Sequence, residues 1–269
     1  MQKTIVITGA SDGIGLATTK MLLDQGHRLL MHGRNPQKLA DAAASLDAEG
    51  TNTEQYIADL SELKNVVKLA EDISARHSNI DVLINNAGVL KTQHTRTKGG
   101  LDIRFAVNTV APFLLTEKLM PLLGTNSRVV NVSSAAAAPV DLVGLAGGNT
   151  YEDAMQAYSQ SKLAITMWTR SMAAQAGNDD IVFVSVNPGS LLASKMVKEG
   201  FGIAGSDINI GADILCRAAL SDEFANASGQ YYDNDAKRFA DPHADALDSA
   251  KVKAVVQKIE QIVADALGK

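Results

Sequence analysis

Tyr158 and Lys162 stand four residues apart in the segment AYSQSKLA, a spacing that puts both side chains on one face of a helix. A phenol titrates near pH 10 and is a poor base at neutral pH, but a neighbouring ammonium favours its ionised form. The pair is therefore suited to acid–base work at an oxygen. Ser134 follows an expected strand from Arg128 to Ser133, where its hydroxyl could hold a substrate oxygen beside Tyr158. A tyrosine–lysine spacing alone can arise by chance, so its weight depends on what accompanies it.

Its companion is Thr8-Gly9-Ala10-Ser11-Asp12-Gly13-Ile14-Gly15. Glycines at a strand-to-helix turn let the backbone approach a pyrophosphate, while the helix N-terminus offers free N–H groups and the positive end of its dipole. The spacing G-x-x-x-G-x-G departs from the commoner G-x-G-x-x-G. Asn85-Asn86-Ala87-Gly88 closes a later strand at the carboxyl edge, where ligands of open α/β sheets collect. Asp59 ends another strand in that layer and could accept from an adenine amino group, or simply cap a helix.

These segments need elements to hold them. Apolar, β-branched runs predict strands at Thr4–Thr8, Arg28–Gly33, Gln55–Ala58, Asp81–Asn85, Arg128–Ser133 and Ile181–Asn187, with a seventh near Gly229–Asp233. Helical periodicity fills the gaps at Gly13–Gln25, Pro36 to about Ala48, Leu63–His77, Leu101–Leu123 and Met155–Ala176. Asn35 reads as an N-cap with Pro36 at the first helical position. Alternation of β and α predicts a doubly wound, Rossmann-type parallel sheet of about seven strands, helices on both faces, in one domain spanning 1–269.

Composition removes other classes. With 269 residues and 46% hydrophobic content the chain can bury a large core, and a net charge of -5 gives no reason to bind nucleic acid. Cys216 is the only cysteine, and His27, His32, His77, His94 and His243 share no metal-ligand spacing with it, so no metal is expected. No apolar run approaches the ~20 residues of a membrane span, and the N-terminus lacks a signal-peptide pattern, which points to the cytoplasm. Trp168 and Met172 read as core or subunit packing, and the Lys251–Lys258 run as a solvated helix face.

Taken together, TGASDGIG, NNAG, VNVSS, YSQSK and NPG, in that order along nearly the whole chain, resemble the short-chain dehydrogenase/reductase family in its single-domain form. The resemblance implies hydride transfer between a nicotinamide cofactor and a carbonyl or alcohol substrate. It implies Tyr158 as acid–base, Ser134 as the group polarising substrate, and Lys162 as the residue that lowers the phenol pKa and binds nicotinamide ribose. Asn108, in FAVNTVAPF, would help hold a water continuing a proton relay. The cofactor-binding set it implies is Gly9, Ser11, Asp12, Gly13, Ile14, Gly15, Arg34, Asp59, Leu60, Asn86, Ala87, Gly88, Pro188, Gly189 and Leu191, with Tyr158 and Lys162.

Two departures stand out. Ala135 to Ala157 is longer than in many members, and this insertion with AYSQSKLA is similar to the retinol-dehydrogenase-like branch, which hints at an apolar substrate. After Pro188-Gly189 the usual threonine is missing and the nearest matching hydroxyl is Ser194. The end of the second strand carries Gly33 rather than an acid, followed by Arg34, so NADP(H) is preferred to NAD(H). Asp12 stands where NADPH-preferring relatives often have a basic residue, and Lys38 reads as a solvated surface charge. Leu191–Gly205, with its glycines, is expected to be a closing loop. A homodimer or homotetramer is expected through apolar outer faces of Leu101–Leu123 and Met155–Ala176. The competing reading is a non-catalytic NADP(H)-binding sensor, which would need the glycines but not Tyr158.

Overall fold

The computed structural model describes residues 1–176 and 181–268. Its elements run β1 (Thr4–Thr8), α1 (Gly13–Asp24), β2 (Arg28–Gly33), α2 (Pro36–Leu46), β3 (Thr53–Ile57), α3 (Leu63–Ser74) and β4 (Ile80–Asn85). Then come α4 (Ile103–Phe105), a π-helical turn (Ala106–Val110), α5 (Ala111–Leu119), β5 (Leu123–Val132), α6 (Leu142–Leu145), α7 (Ala154–Ala176) and β6 (Val182–Asn187). The chain ends with α8 (Lys195–Phe201), α9 (Asn209–Leu220), β7 (Tyr231–Asp233), β8 (Arg238–Ala240) and α10 (Ser249–Leu267).

The strands form one sheet in the order β3-β2-β1-β4-β5-β6-β7-β8, parallel except for the β7–β8 pair. Period-two alternation sends Ile5, Ile7, Leu29 and Met31 to one face, where they pack with Leu22, Leu39 and Ile214 of α1, α2 and α9. Val6, Leu30, Leu83, Val129 and Phe183 point the other way, into a core shared with α3, α5, α7 and α10. The strand order reverses between β1 and β4, the crevice where this architecture receives ligands.

Asn35 caps α2 as expected, its side chain accepting from Lys38 N at 2.9 Å. Other expectations need correction. The third strand starts two residues early because Thr53 pairs with Leu29 of β2. An eighth strand closes the sheet as a short antiparallel hairpin whose turn places Lys237 at φ 54. Leu101–Leu123 is not one helix: a π-helical turn interrupts it at Ala106–Val110, and its last residue already belongs to β5. Trp168 is fully buried and meets the Phe113 ring edge-on at 5.7 Å, a core residue.

The apolar outer face expected on α7 does not stay open. Val255, Val256, Ile259 and Ile262 of α10 bury themselves in the core cluster that contains Leu163 and Trp168. Lys251 and Lys253 of α10 are exposed, and Lys258, next to Ile259, is half-buried at the edge of that stripe. Four apolar residues at three- and four-residue steps beside that lysine run carried this signal.

Candidate active site

Tyr158 and Lys162 lie one turn apart on α7, and the Lys162 Nζ stands 5.7 Å from the centre of the Tyr158 ring. Lys162 is 4% exposed and its Nζ donates to the Val132 carbonyl at 2.7 Å, which ties α7 to the end of β5. Burial pushes this ammonium down to about 8. Burial also raises the Tyr158 phenol, and a hydrogen bond with Ser134 works in the opposite direction. Burial is thus the larger influence on the phenol.

Ser134 follows β5 and its Oγ accepts from Ala136 N at 3.1 Å. Its carbonyl accepts from the Tyr231 hydroxyl of β7 at 3.1 Å, a contact with no signal in the sequence. The neighbouring Ser133 turns inward to Lys162 O and the Thr166 hydroxyl, so the second serine of the pair is the one left for chemistry.

Asn108 sits within the π-helical turn, an insertion common at functional sites. Its Oδ1 accepts from Val89 N at 2.8 Å, and its Nδ2 donates to Val89 O and to the Ser161 hydroxyl, both at 3.0 Å. The amide therefore clamps the loop after β4 onto α7. A Cβ built on Gly88 would stand 3.5 Å from both Asn108 Oδ1 and Lys162 Nζ, so NNAG and YSQSK meet at one place.

The glycine turn lies across the same edge. Gly9 adopts φ 69 and Gly13 φ 54, and a Cβ on Gly15 would fall 2.2 Å from the Gly9 carbonyl oxygen. Asn86 Nδ2 donates to Thr8 O at 2.8 Å, while the Thr8 hydroxyl accepts from Asn86 N and Ala87 N, each at 3.0 Å. Thr8 belongs to the motif but its clamping role depends on β4 lying beside β1. Asp12 caps α1 through Gly13 N at 2.7 Å, and its other oxygen is ion-paired with Lys38. Lys38 is therefore not merely a solvated charge; the pair neutralises the acid at the mouth of the turn.

At the end of β2, Gly33 is buried with Ser11 Oγ 3.3 Å from its notional Cβ, and Arg34 is exposed. Asp59 Oδ1 accepts from Ser61 N at 3.0 Å and Ser61 Oγ at 2.8 Å, so it closes a local turn and does not cap α3, whose N-cap is Glu62. Leu60 puts its side chain into the core at 5% exposure. Ile14 packs towards α9 near Gly211. Beyond β6, Pro188 and Gly189 (φ 120) lead to Leu191, which adopts φ 53 and leaves its side chain 43% exposed. Ser194 caps α8 through Val197 N at 3.3 Å. The expected closing loop is thus a short helix, with its ends joined by Ala193 N to Ser206 O and Ser206 N to Leu191 O.

The long insertion is stapled down. Arg96 donates to Gly100 O and Gly147 O at 2.7 Å and to Asn149 O at 2.9 Å, joining the loop after β4 to the insertion. Gln160, two residues beyond Tyr158, accepts from Asp141 N at 2.9 Å. Among the described residues no cluster of His, Cys, Asp or Glu could hold a metal, and no helix is long and apolar enough to cross a membrane.

The donors fit a nicotinamide dinucleotide. Two positive-φ glycines open the turn at the N-terminus of α1, where the first-turn N–H groups have no intrahelical acceptor. A Rossmann-type sheet carrying such a turn, with a serine, tyrosine and lysine at its carboxyl edge, defines a dinucleotide-dependent oxidoreductase. Residues 3–202 match the short chain dehydrogenase family, and the chain belongs to it. It is accordingly an oxidoreductase of alcohol or carbonyl groups that uses a nicotinamide cofactor.

Human "Retinol dehydrogenase 13" is 29% identical over 271 residues, covering 93% of this chain and 81% of that protein. Mouse "Retinol dehydrogenase 12" is 32% identical over 255 residues, covering 88% and 78%. An uncharacterised protein from Mycobacterium Paratuberculosis superposes with TM-score 0.81 at 28% identity, covering 97% of this chain and 93% of that one. The NADPH-bound carbonyl reductase from chicken fatty liver gives TM-score 0.70 at 22% identity over 89% and 99%, a likeness of fold.

Proposed function

We propose that this chain is an NADP(H)-dependent dehydrogenase or reductase of an apolar carbonyl or alcohol, with Tyr158 as its acid–base. The observation that carries this reading is the buried Lys162 one helical turn from Tyr158, its Nζ 5.7 Å from the centre of the phenol ring, beside the strand end that carries Ser134. A bound nicotinamide supplies or receives the hydride. The chain's part is to hold the substrate oxygen between the Ser134 hydroxyl and the Tyr158 phenol and to move a proton at the phenolic oxygen. Lys162 stands beside the phenol ring as a buried charge, and Asn108 holds the loop after β4 against α7. The named relatives and the apolar Leu191, Phe201 and Ile203 around α8 support an apolar substrate. A sensor would have no use for the tyrosine–lysine pair. A panel of aldehydes and ketones with NADPH tests the reading, and cofactor binding without turnover across the panel would favour the sensor.

The preference for NADP(H) rests on Arg34, exposed and with no intramolecular ion pair among the described residues, next to a buried glycine where a repelling carboxylate would otherwise stand. Lys38 adds to it by masking Asp12. Arg34→Ala should lower kcat/KM for NADPH relative to NADH by more than about tenfold, or ~1.4 kcal/mol. The single change reads the charge cleanly, because a side chain at Gly33 would press on Leu39 Cδ1 at 3.2 Å. An unchanged ratio would mean that Arg34 faces solvent in the complex. A cytoplasmic location agrees with the single, buried Cys216. A homodimer or homotetramer would have to form on surface other than the part of α7 that α10 covers; light scattering that finds only monomer would set association aside.

A further inference from the structure

The turn after β6 has an unusual backbone and an identifiable cause for it. Gly189 at φ 120 and Leu191 at φ 53 lie within three residues of each other, and such a path persists only where surrounding contacts hold it. Those contacts come from the turn between β7 and β8. Asp235 takes both donors of Ser190, the backbone N–H at Oδ1 (2.8 Å) and the hydroxyl at Oδ2 (2.6 Å). Asn187 Nδ2 donates to the same Oδ2 at 2.9 Å and to Asp233 Oδ1 at 2.9 Å, and Asn187 Oδ1 accepts from Gly189 N at 3.2 Å. From the other side, Asn234 Nδ2 donates to Pro188 O at 2.9 Å. The carboxylate of Asp235 has three donors and no cation in an ion pair among the described residues. Its work is shape, since each donor belongs to the turn or to the residue just before it.

We propose that Asp235 is a positioning residue that holds the 188–190 turn in the conformation that receives the nicotinamide half of the cofactor. The proposal rests on the reading of 188–191 as a cofactor segment, which follows β6 next to the β5 end that carries Ser134 and has three strands between it and the β2 end that carries Arg34. A residue that shapes only this turn should affect one end of the dinucleotide and not the other, whereas a residue needed for the fold at large would affect both.

The test uses the full chain and two probes, NADPH and 2′,5′-ADP, which lacks the nicotinamide half. Calorimetry on Asp235→Ala should show NADPH binding weakened by at least about tenfold, the loss of a charge-assisted hydrogen-bond pair, with 2′,5′-ADP affinity within about twofold of wild type. Ser190→Ala, which keeps the backbone donor to Oδ1, should weaken NADPH less than Asp235→Ala does. Equal loss of both probes in Asp235→Ala, or of neither, would overturn the proposal. So would a larger effect from Ser190→Ala, because the hydroxyl would then be acting on the cofactor itself. If the wild-type chain binds neither probe, the nucleotide site falls and the proposal with it.

Discussion

Tyr158→Phe lowers turnover by ~10²- to 10⁴-fold while leaving NADPH affinity nearly unchanged, because the ring keeps its place on α7 and only the transferable proton is lost. The local electrostatics explain why no neighbour can stand in. The Ser134 hydroxyl is not an acid–base at neutral pH, and its oxygen accepts from Ala136 N at 3.1 Å. Lys162 is pushed down to about 8 by burial, yet its Nζ is committed to the Val132 carbonyl at 2.7 Å. Tyr231, the other phenol nearby, is spent on the Ser134 carbonyl and is raised by burial beyond use as a base. The measurement is steady-state turnover with NADPH and the best aldehyde or ketone of a panel, alongside calorimetric cofactor binding. A variant that retains most of its activity at neutral pH would remove Tyr158 from the mechanism.

The second expected result concerns stability. His32 lies in β2 at 3% exposure, between a backbone group of the glycine turn and one just after β3. Its Nε2 is 3.0 Å from Ala58 O, which can only accept, and its Nδ1 is 3.4 Å from Gly9 N, which can only donate. The ring is therefore neutral, with its proton on Nε2. Burial pushes its pKa from 6.5 to about 4, and the bond to Ala58 O and the charge of Asp59 offset this only in part.

Because the folded value lies below the unfolded one, the unfolded chain binds more protons between those two pH values. The contribution is complete above pH ~6.5 and is lost as pH falls towards ~4, about 3 kcal/mol over the window. Protonation would also set an N–H of the ring against the N–H of Gly9, so the glycine turn should loosen together with the fold. Urea melts between pH 7 and 4 should show wild type losing that amount beyond His32→Gln, the slope being the readout and not the absolute stability. Parallel slopes for the two proteins would show that His32 titrates normally.

The chemistry was legible where it depends on short spacing. Tyr158 and Lys162 could be placed on one helical face, and Asn35 recognised as a cap, because each relation spans four residues or fewer and follows from the helical period. The glycine turn, NNAG and Ser134 could be assigned to one sheet edge because βα alternation sends every strand end to the same side. Asn108 could be named but not understood. Its role depends on a π-helical turn that nothing in FAVNTVAPF announces, and on Val89, which packing brings within 2.8 Å of its amide oxygen.

What local pattern leaves open is pairing across distance. Lys38 reads as a solvated surface charge until α2 is laid beside the glycine turn and pairs it with Asp12. Asp235 lies in the turn of a hairpin whose three-residue strands are too short to show alternation, and its partner Ser190 lies in another part of the chain. The residues of α10 announce an apolar stripe, but not that α7 is what it covers. Periodicity along a chain encodes which face of an element is apolar and which residues share it. Which faces meet is set by burying them all at once around a single sheet, and that choice brings Thr8 to Asn86, Asn108 to Val89 and Tyr231 to Ser134.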